Sequence, residues 1–218
     1  MTTLPFKMGR IHQPDPRDHN FLMASQMPEK AARTSVTYRT GPVLDQGQTP
    51  MCVGMAWRDW LSAALVMEKG GPAAPVIYAD AQQRDGMALP HDGSTVRAGA
   101  QALQALGYVQ AYGWAFDATT LRNWLLLGKG SVVVGTNWYD AMFEPDAKGF
   151  CRVGGSIAGG HAYLCIGYSA PRQAFRFLNS WGLGWGQKGR FWISFSDFDR
   201  LLHENGECCT AIEQRVSA

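Results

Sequence analysis

Apolar positions along this chain keep two rhythms, and the rhythm changes near the middle. From residue 52 to about residue 69, Val53, Ala56, Trp57, Trp60, Leu61, Ala64 and Leu65 recur at the i, i+3, i+4, i+7 spacing of one helix face. Met55, Ala63 and Met67 widen that face, so the helix is expected to be mostly buried. Gly70, Gly71 and Pro72 should stop it. Helical spacing returns over about 76–83. It returns again over 95–106, with Ser94 as N-cap and Gly107 as C-cap, and over 119–127 ahead of Gly128. After that the chain turns to short β-rich runs: SVVVGTNWY, AYLCIGY, AFRFLNSW, RFWISF and CCTAIEQ, parted by Gly, Pro and Asp. Helices first and strands afterwards predict an α+β fold, not alternating βαβ units.

Residues 1–35 carry no such rhythm and are rich in Pro, Asp, Arg and Met. They read as an extended N-terminal arm wrapped on a domain of residues 36–218, with a helical lobe at about 45–125 and a β-rich lobe at about 126–218. A chain of 218 residues, 46% apolar and 17% charged, suits one folded domain. A net charge of +2 without a basic run predicts no nucleic-acid partner. The longest apolar runs are far too short for membrane insertion, and the N-terminus lacks the apolar stretch of a secretory signal. The expected location is the cytoplasm, or delivery without a signal peptide, for example with a virion. Membership of a larger assembly is left open. Five cysteines with no CxxC pair argue against a disulfide framework and against structural zinc. Cys208 and Cys209 near His203 read better as strand thiols than as metal ligands.

Three stretches carry chemistry. In QGQTPMC, Cys52 stands where a turn-rich loop gives way to the first helix. A helix N-terminus favours a thiolate, although most cysteines are packing residues. In GGSIAGGHAYLCIGY, His161 opens an apolar strand behind Gly159 and Gly160, whose missing side chains leave room for another group. The bland alternative is a core histidine. A phosphate loop does not fit, because no GKS/T ending and no helix follow. In FLNSWGLGWGQKGRFWIS, Asn179 ends a strand, and Trp181 and Trp185 are interleaved with glycines. A tryptophan lying flat there could shield a hydrogen bond from water. The alternative is an ordinary aromatic cluster.

Cysteine, histidine and asparagine in this order form a nucleophile, base and orienter set. With Gln46 six residues before Cys52, GGHAYLCIGY and NSWGLGWGQKGRFWIS, the chain resembles the papain-like cysteine peptidases over about residues 41–213. Its compactness, together with IHQPDPRDHNF and DGSTVRAGAQALQALGY, resembles the bacterial and viral members. The resemblance implies a helical lobe whose central helix starts at the nucleophile, a β-barrel-like lobe, and a cleft between them. It also implies a cysteine endopeptidase acting on peptide or protein substrates through a thioester, with no metal or cofactor. Cys52 would be the nucleophile and His161 the base and then the acid. Asn179 would orient the imidazole, and Gln46 with the Cys52 N–H would hold the oxyanion. Trp181, Gly160 and Gly159 would face the substrate, with Trp181 over the His161–Asn179 bond.

Some positions depart from the family. Thr49 replaces the first cysteine of the family's C-G-S/A-C-W/Y signature, so no disulfide forms from there, and Val53 replaces its aromatic residue. Pro50 stiffens the loop that carries the oxyanion donors. Gly160 replaces a polar or acidic neighbour of the histidine. His161 and Asn179 follow Cys52 more closely than usual, which implies trimmed loops. Only 51 residues precede Cys52, too few for a typical inhibitory pro-segment plus the mature N-terminal strand, so residues 1–35 are expected to brace the domain or partly cover the cleft. Two rival readings are an idle papain fold serving as a structural or binding component, and a peptidoglycan-directed thiol amidopeptidase.

Overall fold

The computed structural model describes residues 4–27 and 33–214. Among them are five α-helices: α1 (Cys52–Ser62), α2 (Ala74–Arg84), α3 (Val96–Ala105), α4 (Ala118–Leu126) and α5 (Phe195–His203). The strands are β1 (Ser35–Thr37), β2 (Val109–Ala115), β3 (Val132–Tyr139), β4 (Ile157–Ser169), β5 (Ala174–Leu178), β6 (Arg190–Ser194) and β7 (Glu207–Gln214). They form one antiparallel sheet in the order β2-β7-β3-β4-β5-β6, with β1 added along β4. The α+β class stands. The sheet is not closed, so the expected barrel-like lobe is instead an open sheet, with β2 and β6 at its edges.

Strand alternation decides which helices cover which face. Val133, Ala162, Leu164, Ile166 and Cys209 pack into one core with Val53, Trp57 and Trp60 of α1, Ile77 of α2 and Leu103 of α3. Val132, Val134, Tyr163, Cys165 and Cys208 face the opposite way and pack with Leu121 and Trp124 of α4 and Phe198 and Leu201 of α5. Cys208 and Cys209 therefore belong to different cores and cannot share a ligand. All five cysteines are free and buried.

The periodicity places α2, α3 and α4 to within one or two residues. α1 ends at Ser62, well before residue 69. The Ala64 N–H goes to the Arg39 carbonyl (2.8 Å), a tertiary partner that replaces the helical one. Leu65, counted on the apolar face, is exposed. The cap of α3 is Thr95, whose hydroxyl accepts from the Ala98 N–H (3.0 Å). Ser94 bonds the Asp85 carboxylate (2.9 Å) and contributes its backbone elsewhere. Among the described residues no helix is long and apolar enough to cross a membrane.

Candidate active site

The loop before α1 is tied to the loop after β5. The Gln46 N–H donates to the Ser180 carbonyl (2.9 Å) and the Gly182 N–H to the Leu44 carbonyl (3.0 Å). Gly182 has φ +73°, and a side chain there would press on the Asp45 carboxylate, so glycine is required. This pairing sets Gln46 beside Asn179. Cys52 is the first residue of α1 and is fully buried where α1 packs on β4.

His161 lies inside β4, not at its start, because the strand begins at Ile157. Its Nε2 is 2.8 Å from Asn179 Oδ1. Asn179 Oδ1 also accepts from the Ser180 N–H (2.9 Å), which orients the amide. That leaves His161 Nδ1 buried and without a hydrogen-bond partner. Trp181 stacks on the imidazole (4.6 Å between ring centres, 23° between planes), and Trp138 meets it edge-on at 5.1 Å. The His161–Asn179 pair is thus screened from water by aromatic rings, which strengthens it.

Gln46 is aligned just as closely. The Ser180 hydroxyl donates to Gln46 Oε1 (2.7 Å), so Gln46 Nε2 is left to donate outward, to the carbonyls of Thr49 (2.8 Å) and Lys7 (3.1 Å). Gln46, His161, Asn179 and Trp181 are all brought together. Two supporting residues went unread in the sequence. Ser180 stands between Asn179 and Trp181, but its partner Gln46 is set by the tertiary fold. Trp138 was not legible either, because only strand pairing carries β3 to His161.

No protein-family model matches the chain, and neither does any curated protein. Solved structures do. Xylellain, a cysteine protease from Xylella fastidiosa, superposes with a TM-score of 0.74 at 19% identity, covering 99% of this chain and 100% of that one. The bromelain protease of Ananas comosus, in complex with the E64 inhibitor, superposes at 0.61 with 14% identity, covering 81% and 98%. Digestive procathepsin L2 proteinase from Tenebrio molitor larval midgut superposes at 0.64 with 17% identity, covering 95% and 78%. The fold is papain-like.

On this papain-like frame the N-terminal arm runs through the groove beside Cys52. Phe6 stacks on Trp181 almost face to face, at 4.2 Å and 3°. The Lys7 carbonyl accepts from Gln46 Nε2, and Gln48 Nε2 donates to the Pro5 carbonyl (2.9 Å). The N–H groups of Gly9 and Arg10 both reach the Gly160 carbonyl (3.2 and 2.9 Å). The Gly9 carbonyl accepts from the Ser94 N–H, and the Ile11 N–H donates to the Ser94 carbonyl (both 2.9 Å). Glycines make the room: a side chain on Gly159 would meet Met8 at 2.8 Å, and one on Gly160 would strike the Arg10 carbonyl. Gly159 and Gly160 thus face a polypeptide, and that polypeptide is the chain's own arm.

Burial sets the charges. Desolvation pushes the Cys52 thiol up to about 11, although the amides of Ala162, Gly9 and Val53 hydrogen-bond it and oppose the shift. Desolvation pulls the His161 imidazole down to about 4, against the Asn179 bond that raises it. With the arm seated, thiol and imidazole are both neutral near pH 7.

Proposed function

We propose that the chain is a cysteine-type endopeptidase whose resting form keeps its own arm in the cleft. The reading is supported most by one observation: Gln46 Nε2, oriented by Ser180, already holds a peptide carbonyl of the arm, that of Lys7, and the Gly9 amide two residues on hydrogen-bonds the buried thiol. A cleft that seats one polypeptide by its backbone has the chemistry to seat another.

When the arm leaves, water and the α1 N-terminus favour charge separation. The Cys52 proton passes to His161 Nδ1, while Nε2–H stays on Asn179. The thiolate attacks a peptide carbonyl, and its oxygen becomes an anion held by Gln46 Nε2 and the Cys52 N–H. His161 gives its proton to the leaving amine as the C–N bond breaks, leaving a thioester on Cys52. Water then adds with His161 taking its proton, and the thiolate departs as the acid is released.

The neutral resting pair also suits an idle fold, so the test must separate the two. Full-length wild type, Cys52→Ala, His161→Ala and Phe6→Ala would be treated with an epoxysuccinyl inhibitor and weighed intact. A single adduct that disappears in the Cys52 variant, slows in the His161 variant and speeds up in the Phe6 variant supports the peptidase. No adduct on any folded variant, while iodoacetamide still labels Cys52, would establish the idle reading.

A further inference from the structure

Three arginines gather around one tryptophan at the β6 end of the sheet. Phe175 and Phe177 of β5 enter the core beneath α4 and α5, so Arg176 between them faces the other way. Arg176 pairs directly with Trp192 of β6, and Leu178 pairs with Arg190. Arg172, in the turn before β5, reaches the same indole. The guanidinium carbons of Arg172 and Arg176 lie 5.0 and 5.2 Å from the Trp192 ring centre. Phe150 stacks on that ring at 6.3 Å, and Trp192 is 7% exposed. Arg190 stands diagonally across the strand pair from Arg176, about 7–8 Å away along the backbone. Its guanidinium donates to Thr40 Oγ1 (2.8 Å) and to the Lys188 carbonyl (3.0 Å).

Stacking alone does not account for this cluster. An indole face attracts a cation, but three like charges repel one another. Among the described residues none of the three forms a salt bridge. Two other stacked arginines do: Arg97 over Trp114 pairs with Asp18, and Arg200 over Tyr139 pairs with Glu204. Arg176 Nε is buried without a hydrogen-bond partner. Burial, then Arg190 and Arg172, pull the Arg176 guanidinium below its ordinary value. Asp59 of α1 is a carboxyl that feels Arg190, but burial pushes it well up, against Arg58 and Arg190, and favours its neutral form. It therefore does little to offset the cluster.

An anion would relieve both the repulsion and the unused donor. Guanidinium forks meet the oxygens of a tetrahedral oxyanion in pairs, and a phosphomonoester carries about −1.5 to −2 charges near pH 7, enough to offset two arginines. A carboxylate carries only one. Trp192 offers no open face to a nucleobase, because guanidiniums and Phe150 already cover it.

We propose that Arg172, Arg176 and Arg190 form a binding site for the phosphoryl group of a small phosphorylated ligand, with Trp192 holding two of the guanidiniums in place. None of these residues lines the cleft around Cys52, and the inference does not depend on the peptidase reading.

The test uses the full chain and two probes, inorganic phosphate and glycerol 3-phosphate, against sodium chloride and sodium acetate at equal ionic strength. Calorimetry should show one site with a dissociation constant of about 1 mM or tighter. At about 10 mM, either probe should raise the melting temperature by about 3 °C over chloride. Arg176→Gln and Arg190→Gln should each weaken binding at least about tenfold. Arg176→Lys keeps the charge but loses the fork, and should weaken it at least about threefold. Arg172→Gln, at an exposed position, should do the same and carries the test if Arg176→Gln does not fold. Arg122→Gln, which removes a single arginine stacked on Phe195, should change nothing. Phosphate that binds no better than chloride overturns the proposal, as does binding that survives the cluster variants as well as it survives Arg122→Gln. Acetate binding as tightly as phosphate overturns the phosphoryl assignment.

Discussion

Gln46 shows how little of a side chain's role lies in the side chain itself. Its amide could point either way, and the Ser180 hydroxyl on Oε1 decides that Nε2 faces the cleft. Ser180→Ala should therefore lower kcat/KM about fivefold to tenfold, the worth of one hydrogen bond, without slowing alkylation of Cys52 by iodoacetamide. Gln46→Ala removes the donor itself and should cost about 100- to 1,000-fold in kcat. A Ser180 variant as impaired as the Gln46 variant would mean that Ser180 does more than orient. Both residues stood in plain view in the sequence. Gln46 was readable through the resemblance, but Ser180 was not, because a serine's partner is set by which loop the fold lays against it.

Beside Cys52 the arm is an extended segment, held by backbone bonds to Gly160 and Ser94, by the Gln46 and Gln48 amides on its carbonyls, and by Phe6 on Trp181 and Arg10 on Glu207. Phe6→Ala deletes a stacked pair worth about 0.5–1.5 kcal/mol beyond its area, so labelling of Cys52 should accelerate about tenfold. Gly9→Val, whose side chain would run into the Pro50 carbonyl, should do the same by a different route. The pH profile gives the sign. With the arm seated, the thiol titrates towards 11, so labelling stays slow at pH 7 and climbs only in strong alkali. Either substitution should move that midpoint down. An unchanged midpoint with unchanged melting temperature would show that the arm neither covers nor braces the site. The sequence pointed to an extended arm over or around the domain, since a stretch without periodicity shows no amphipathic face. In the structure Pro16–Asn20 and Met23–Gln26 form short 3-10 helices and Met23 enters the core. The arm's path past Cys52 was not readable in the sequence, because glycine-lined grooves leave no side-chain pattern.

Folding couples these parts through burial. His161 is neutral inside the protein and titrates near 4, whereas an unfolded imidazole titrates near 6.5. Between those values the unfolded chain binds the extra proton, so the folded chain loses stability as pH falls from about 6.5 towards 4, by up to about 1.4 kcal/mol per unit. The melting-temperature gap between wild type and His161→Gln should narrow over that range. A constant gap would mean that the imidazole is not held neutral. Arg10→Ala leaves Glu207 buried and unpaired, which costs about 3–5 kcal/mol, and the melting temperature should fall by about 10 °C. Glu207→Gln in the same chain should restore part of that loss.

The class of fold, four of the helices and five of the strands follow from apolar spacing, because that spacing states which face of each element leaves water. α5, β2 and the three-residue β1 escaped it. α5 has nine residues and directly continues β6, while β2 carries Tyr112, Gly113 and Trp114 in a pattern its neighbours complete. The cysteine, histidine, asparagine and glutamine stood out in the sequence as candidates because each sits at an element's end or among glycines. Tertiary structure alone decided the open sheet, the Trp138 wall, the arm in the cleft and the Arg10–Glu207 pair. Each of these joins residues far apart in the chain. Local propensity has no term for such pairs; they form only when the strands are registered and the desolvated charge must find the one partner the fold has left for it.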